Sequence, residues 1–282
     1  MTRRPPTRPM IATLFALVAG LFLMAQGRAQ DAITQANNQD GYWAGVAPLH
    51  TDEVATDGLG NSYVNNAAGT RFVIGYESTR TRTIFGLPGW YTDLDVAVGA
   101  ASVRYDGIAL VPSNGTQSSI NQAATYLEEG VRLRLGRSQP LLSSKAIVLT
   151  PFLGVSQKSW TRDALATGSA TFYTHVGAQA GLLLQVNLPY HWVLGAEAAG
   201  GRILGATEFD GYGSRNLAGS SAFALSLDHR TYAEWHQRLQ VRQNFLRYGS
   251  VNGAGGGLGL YEPRRSSDLA ILLFMGTETG SY

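Results

Sequence analysis

The chain has 282 residues, with 34 glycines, no cysteine and only 15% Asp, Glu, Lys and Arg. Ordinary soluble domains carry about 25% charged residues and about 7% glycine, so the chain is poor in charge for a soluble protein. The missing cysteines exclude disulfide staples and thiolate zinc sites. The formal charge of +2 comes from the first thirty residues, which hold four arginines and no acid; the remainder carries −2, and nucleic-acid binding loses its electrostatic motive.

Arg3, Arg4 and Arg8 precede an apolar run from Ile11 to Ala25, and Gln26 to Ala29 ends it with small and polar residues. This layout is that of a secretory signal peptide over residues 1–30, cleaved after Ala29 or Gln30. Residues 31–41 then read as a periplasmic N-terminal segment, and 42–282 as one domain.

Downstream the recurring signal is a period of two, the mark of strands with unlike faces. Ten strands are expected: 42–50, 70–81, 91–105, 123–136, 146–160, 171–186, 191–203, 220–229, 232–248 and 267–278. An eight-stranded arrangement is the alternative. In the second strand Phe72, Ile74 and Tyr76 oppose Arg71, Gly75 and Glu77; in the third, Leu94, Val96 and Val98 oppose Asp95, Ala97 and Gly99. In the fourth, Val131, Leu133 and Leu135 oppose Arg132 and Arg134. Leu182, Leu184 and Val186 oppose Gly181 and Gln185, and after the turn Asn187 to Tyr190 the alternation resumes, with Glu197 on the polar side.

A soluble β-sandwich would turn its second face to water and show Lys, Glu, Thr and Ser there. Here that face is Gly- and Ala-rich with isolated charges of both signs, while the apolar face is nearly free of charge. That combination fits a closed, up-and-down antiparallel transmembrane β-barrel, whose outside meets lipid and whose backbone groups are all paired. Expected outer loops are 51–69, 106–122, 161–170, 204–219 and 249–266. Expected periplasmic turns are 82–90, 137–145, 187–190 and 230–231. Trp43, Trp90, Tyr91, Tyr126, Trp160, Phe172, Tyr173, Tyr190, Trp192, Trp235 and Tyr248 cluster near strand ends, as interfacial girdles would require.

Leu149-Thr-Pro-Phe-Leu-Gly to Trp160 resembles a strand common in small bacterial outer-membrane β-barrel proteins, and Tyr261 to Asp268 before a last apolar strand is similar to their final loop. Tyr282 resembles their C-terminal assembly signal. The resemblance implies residence in the outer membrane of a Gram-negative bacterium, with outer-membrane lipid and the barrel assembly machinery as partners.

Eight to ten strands leave a lumen about filled by side chains, whereas wide pores need 16 or more. The inward charges expected are Arg71, Arg132, Arg134, Lys158, Arg238 and Arg242 against Glu77, Asp95, Glu128, Glu197 and Glu234, a nearly balanced set. Two readings follow: an ion-pair network that plugs the barrel, or a charged constriction that selects small ions or solutes. A hydrolase is the third class. His50-Thr-Asp-Glu53 and His175 could place an imidazole near a carboxylate at the outer rim. No Gly-x-Ser-x-Gly, Walker loop, His-Glu-x-x-His or calcium-loop spacing accompanies them. No catalytic residue, cofactor or metal is therefore expected. The reading is a non-enzymatic envelope protein that meets extracellular or envelope partners through its outer loops.

Overall fold

The computed structural model describes residues 29–279 apart from 57–61, 111–116, 143–145, 165–168, 210–213, 216–218, 232–233, 248–250, 253–259 and 262–264. Of the expected signal peptide over residues 1–30, all but Ala29 and Gln30 lie outside the described residues, as does Tyr282. Ten long strands form an antiparallel barrel: β1 Gln39–Thr56, β2 Ser62–Ile84, β3 Leu87–Leu110, β4 Gln117–Arg137, β5 Ile147–Ala164, β6 Ser169–Leu188, β7 Trp192–Phe209, β8 Gly219–Arg230, β9 Trp235–Arg247 and β10 Arg265–Glu278. Each strand pairs with its chain neighbour, and β10 closes onto β1.

Closure fixes the shape. Register partners lead from Gln39 through Thr79, Asp93, Arg134, Gly154, Gln179, Gly201, Ser220, Leu246 and Ser266 back to β1 at Thr51. The circuit therefore climbs from residue 39 to residue 51 of β1. Ten strands with this stagger tilt by about 40° and enclose a barrel about 20 Å across.

Alternation places the solvents as expected. Tyr42, Ile74, Phe72, Val98, Leu133, Leu153, Leu182, Leu225, Leu239 and Leu273 point outward and are exposed. Outward polar residues bound this belt: Thr70, Ser102, Glu129, Gln157 and Arg202 above, Arg82 and Gln237 below. The belt is about 20–25 Å tall, the height of the apolar band of outer-membrane barrels.

The strands outrun the expected boundaries at their outer ends. β1 to β7 are 18 to 24 residues long, while β8 to β10 have 12, 13 and 14. At about 2.5 Å of axial rise per tilted residue, the first seven span about 45–60 Å. Much of the segments expected as outer loops at 51–69 and 106–122 is therefore hydrogen-bonded wall. At the other end, the turn expected over 82–90 shrinks to Phe85 and Gly86 between the paired residues Ile84 and Leu87. Both turn residues have positive φ, 51° and 74°, the conformation of the tight hairpin turn whose twist matches its strands.

Four of the expected girdle aromatics face the lumen instead. Trp43, Tyr91, Tyr126 and Trp160 are buried, and their positions share the parity of the inward charges. Trp90, Trp192, Tyr190 and Trp235 remain at the periplasmic edge, where the Trp192 ring stacks on His229 with centroids 4.1 Å apart. The side chains of Phe172 and Tyr173, and all of Tyr248, lie outside the described residues. Inward aromatics fit because glycines face them. A β-carbon at Gly75 would collide with the Trp43 indole, and one at Gly181 with the Phe152 ring.

Residues 31–41 are ordered against the barrel. Helix α1, Ala29–Ala36, lies in the periplasmic mouth with Ala32, Ile33 and Ala36 buried against Val148 and Val193. An eight-residue helix is marginal alone; here tertiary contacts hold it. The amides of Asn37 and Gln185 exchange two hydrogen bonds of 2.8 Å. Thr279 N donates to the Asn38 carbonyl at 2.9 Å, so both strand termini are tied at one place. On the closing seam, β1–β10 pairing runs from Gln39 to Val46 and resumes at Leu49, skipping Pro48, which has no N–H to donate.

Candidate functional site

The inward faces stack into levels along the axis. In the middle level, Arg134 of β4 reaches both neighbours of its own level. Its Nε donates to Asp93 at 2.6 Å, and its Nη1 bonds Glu197 of β7. Arg238 of β9 binds Glu77 of β2 at 2.6 Å and lies 4.4 Å from the Phe274 ring centroid. Asp95 of β3 accepts from Arg132 at 2.7 Å, from the Trp43 indole at 3.0 Å and from Arg242 at 3.4 Å. These side chains cross the lumen from different strands and form a septum. One level higher, Glu128 accepts Arg71 at 2.7 Å and Lys158 at 3.0 Å.

Parity therefore brings ten of the expected charged residues together: Arg71, Glu77, Asp95, Glu128, Arg132, Arg134, Lys158, Glu197, Arg238 and Arg242. Glu234 is the correction. It sits exposed in the turn before β9 with φ of 66°, because the strand begins at Trp235 and not at residue 232. Asp93 was missed, although it sits two residues before Asp95 on the same face.

Below the septum, α1 caps a small polar chamber of about 40 Å³ bordered by Glu77, Arg134, Gln185, Glu197, Asp228 and Arg238. That space suits bound water held by several polar partners. At its edge His236 Nδ1 lies 2.7 Å from Asp228 Oδ1 and 2.9 Å from Gln39 Nε2. This couple was not foreseen either. Above the septum lies a larger cavity of about 200 Å³, bordered by Arg71, Arg132, Lys158, His175 and Arg242 and by apolar residues such as Leu49 and Ile203. The side chains of His50 and Glu53 lie outside the described residues, whereas His175 is buried in the upper lumen. Among the described residues, no group of three His, Asp or Glu side chains is placed to hold a metal ion.

No known protein family matches the chain, and no curated protein sequence matches it. Solved structures do. The outer membrane protease OmpT from Escherichia coli superimposes with a TM-score of 0.55 at 9% identity, over 87% of this chain and 98% of that one. The β-domain of the Bordetella autotransporter BrkA gives 0.36 at 12% identity, over 83% and 99%. The transport unit of the autotransporter AIDA-I from Escherichia coli gives 0.37 at 11%, over 99% and 100%. The OmpT likeness speaks to the fold. With the closed ten-stranded barrel and its apolar belt, it makes this chain a Gram-negative outer-membrane β-barrel.

Proposed function

We propose that this barrel is a non-conducting, non-enzymatic envelope protein. It presents an outer β-wall and loops for contact with extracellular or envelope partners. The observation that carries the proposal is the filled lumen. The Arg134–Glu197, Glu77–Arg238 and Asp95–Arg242 pairs cross the middle, Asp93 and Asp95 also bind Arg134 and Arg132 on the neighbouring strand, and α1 occupies the mouth beneath them. The height of β1 to β7 beyond the belt supports the contact role, since seven strands carry a rigid surface well clear of the lipid. Against an enzymatic role, the His236–Asp228 couple is buried beneath the septum beside Gln39. A narrow ion pathway is the second reading, favoured by Arg71, Arg132, Lys158 and Arg242, which border the cavity above the septum.

Purified mature protein in a planar lipid bilayer decides between them. The expected trace is flat at all voltages short of membrane breakdown. Reproducible unitary current steps would sink the proposal and favour the narrow pathway.

A further inference from the structure

We infer that the periplasmic edge of β2, β3 and β4 is a docking site for an anionic phospholipid of the periplasmic leaflet, whose phosphate lies between Arg82 and Arg137 across Trp90. The site is on the lipid side of the wall and owes nothing to what fills the lumen.

Register places the three residues in one row. Arg82 of β2 pairs with Trp90 of β3, and Trp90 pairs with Arg137 of β4. All three have the outward parity of Ile74, Leu94 and Leu135, and both arginines are exposed. Neighbouring strands lie about 4.8 Å apart, so the two arginines stand about 10 Å apart with the indole between them. Arg137 is the next outward residue below Leu135, an exposed apolar side chain of the belt. The row therefore lies where hydrocarbon gives way to headgroups, the depth that an indole prefers.

Charge selects the headgroup. Arg80, the outward residue above Arg82, is matched by Asp40 of β1. Among the described residues, no carboxylate pairs with Arg82 or Arg137. Neither the stretch 83–89 nor the stretch 138–146 contains an acid, and the second contains Lys145. On β9 and β10 the same edge shows Gln237, Met275 and Thr277 outward, with Glu234 exposed beside them. Two unmatched guanidiniums suit a phosphodiester, since each presents planar paired donors to its oxygens. Each basic residue near an anionic lipid surface strengthens attachment about fivefold.

The lack of cysteine lets a single probe report a single edge. A bimane fluorophore on Thr92→Cys sits outward between Trp90 and Leu94, and one on Gln237→Cys marks β9. Mature protein in phosphatidylcholine vesicles is titrated with phosphatidylglycerol or phosphatidylcholine carrying a nitroxide quencher high on the acyl chain. At residue 92, phosphatidylglycerol is expected to reach half-quenching at a mole fraction at least fivefold lower than phosphatidylcholine. At residue 237 the two lipids should agree within twofold. The double variant Arg82→Gln, Arg137→Gln should bring them within twofold at residue 92, and the corresponding lysine pair should keep part of the preference. Millimolar inorganic phosphate, compared with sodium chloride of equal ionic strength, should leave the preference unchanged, because a lipid and not a free phosphate is the occupant. Equal midpoints at residue 92, the same preference at residue 237, a preference that survives the double glutamine variant, or its loss to inorganic phosphate overturns the inference. The comparison of the two lipids needs neither arginine replaced, so it stands even if a variant does not fold.

Discussion

Arg134→Met is the sharpest test of the septum. Methionine keeps a flexible, apolar stem beside the Phe152 ring, which lies 5.2 Å from the guanidinium, and removes the charge together with the donors to Asp93 and Glu197. The Arg134 side chain is 4% exposed; its partners Asp93 and Glu197 are 0% and 9% exposed. Two carboxylates are then left in a low-dielectric interior without their shared cation. Removing one member of a buried ion pair destabilises by about 3–5 kcal/mol, mainly through the charge left behind. With a urea slope of about 3 kcal/mol/M, the unfolding midpoint falls by roughly 1–1.7 M. The assay is equilibrium unfolding in detergent micelles, followed by tryptophan fluorescence and by the shift of folded barrel on unheated gels. The triple variant Asp93→Asn, Arg134→Met, Glu197→Gln removes the stranded charges along with the cation. It should regain more than half of the loss, since replacing a whole buried network is often nearly neutral. An unchanged midpoint in the single variant, or a triple variant as unstable as the single, would refute the septum as a charge-compensated unit.

Cysteines placed along β6 should report the two solvents. A lipid-phase thiol reagent is expected to label Leu182→Cys and Leu184→Cys but not Gln185→Cys, and the reverse pattern would invert the barrel's faces. Asn37→Ala should cost about 1–3 kcal/mol in the same unfolding assay, because the Gln185 amide then loses both of its partners inside the mouth; no change would mean that α1 does not dock there.

The inward face was legible because lipid forces a strict alternation. Arg132 and Arg134 between Val131, Leu133 and Leu135 admit one orientation, and the strand count follows from repeating that pattern. The same logic assigns Trp43 and Tyr126 to the lumen, since they share parity with Gly41 and Glu128. Grouping them by residue type as girdle aromatics set that parity aside. The outer strand ends were not legible. Stretches such as Ser62 to Asn66 and Gln117 to Asn121 carry no apolar–polar alternation in sequence, while their hydrogen-bonded register continues. Glu234 was misplaced by carrying parity past the start of β9. Helix α1 offers three buried apolar side chains beside the expected cleavage site, too few to announce a docked helix. The gathering of Arg71, Arg132, Lys158 and Arg242 around the outer cavity needed the register of four strands at once.

Pro48 has a consequence for how this cylinder comes apart. It divides the β1–β10 seam into eight register pairs from Gln39 to Val46 and four from Leu49 to Asp52. The larger group is anchored at its foot where Asn38 meets Thr279, and Ala47 packs with Phe274 and Leu272 behind the interruption. Any separation of the first and last ribbons is therefore expected to begin beyond the proline, where four register pairs stand against eight, and to expose backbone at that end while the foot of the ring stays shut.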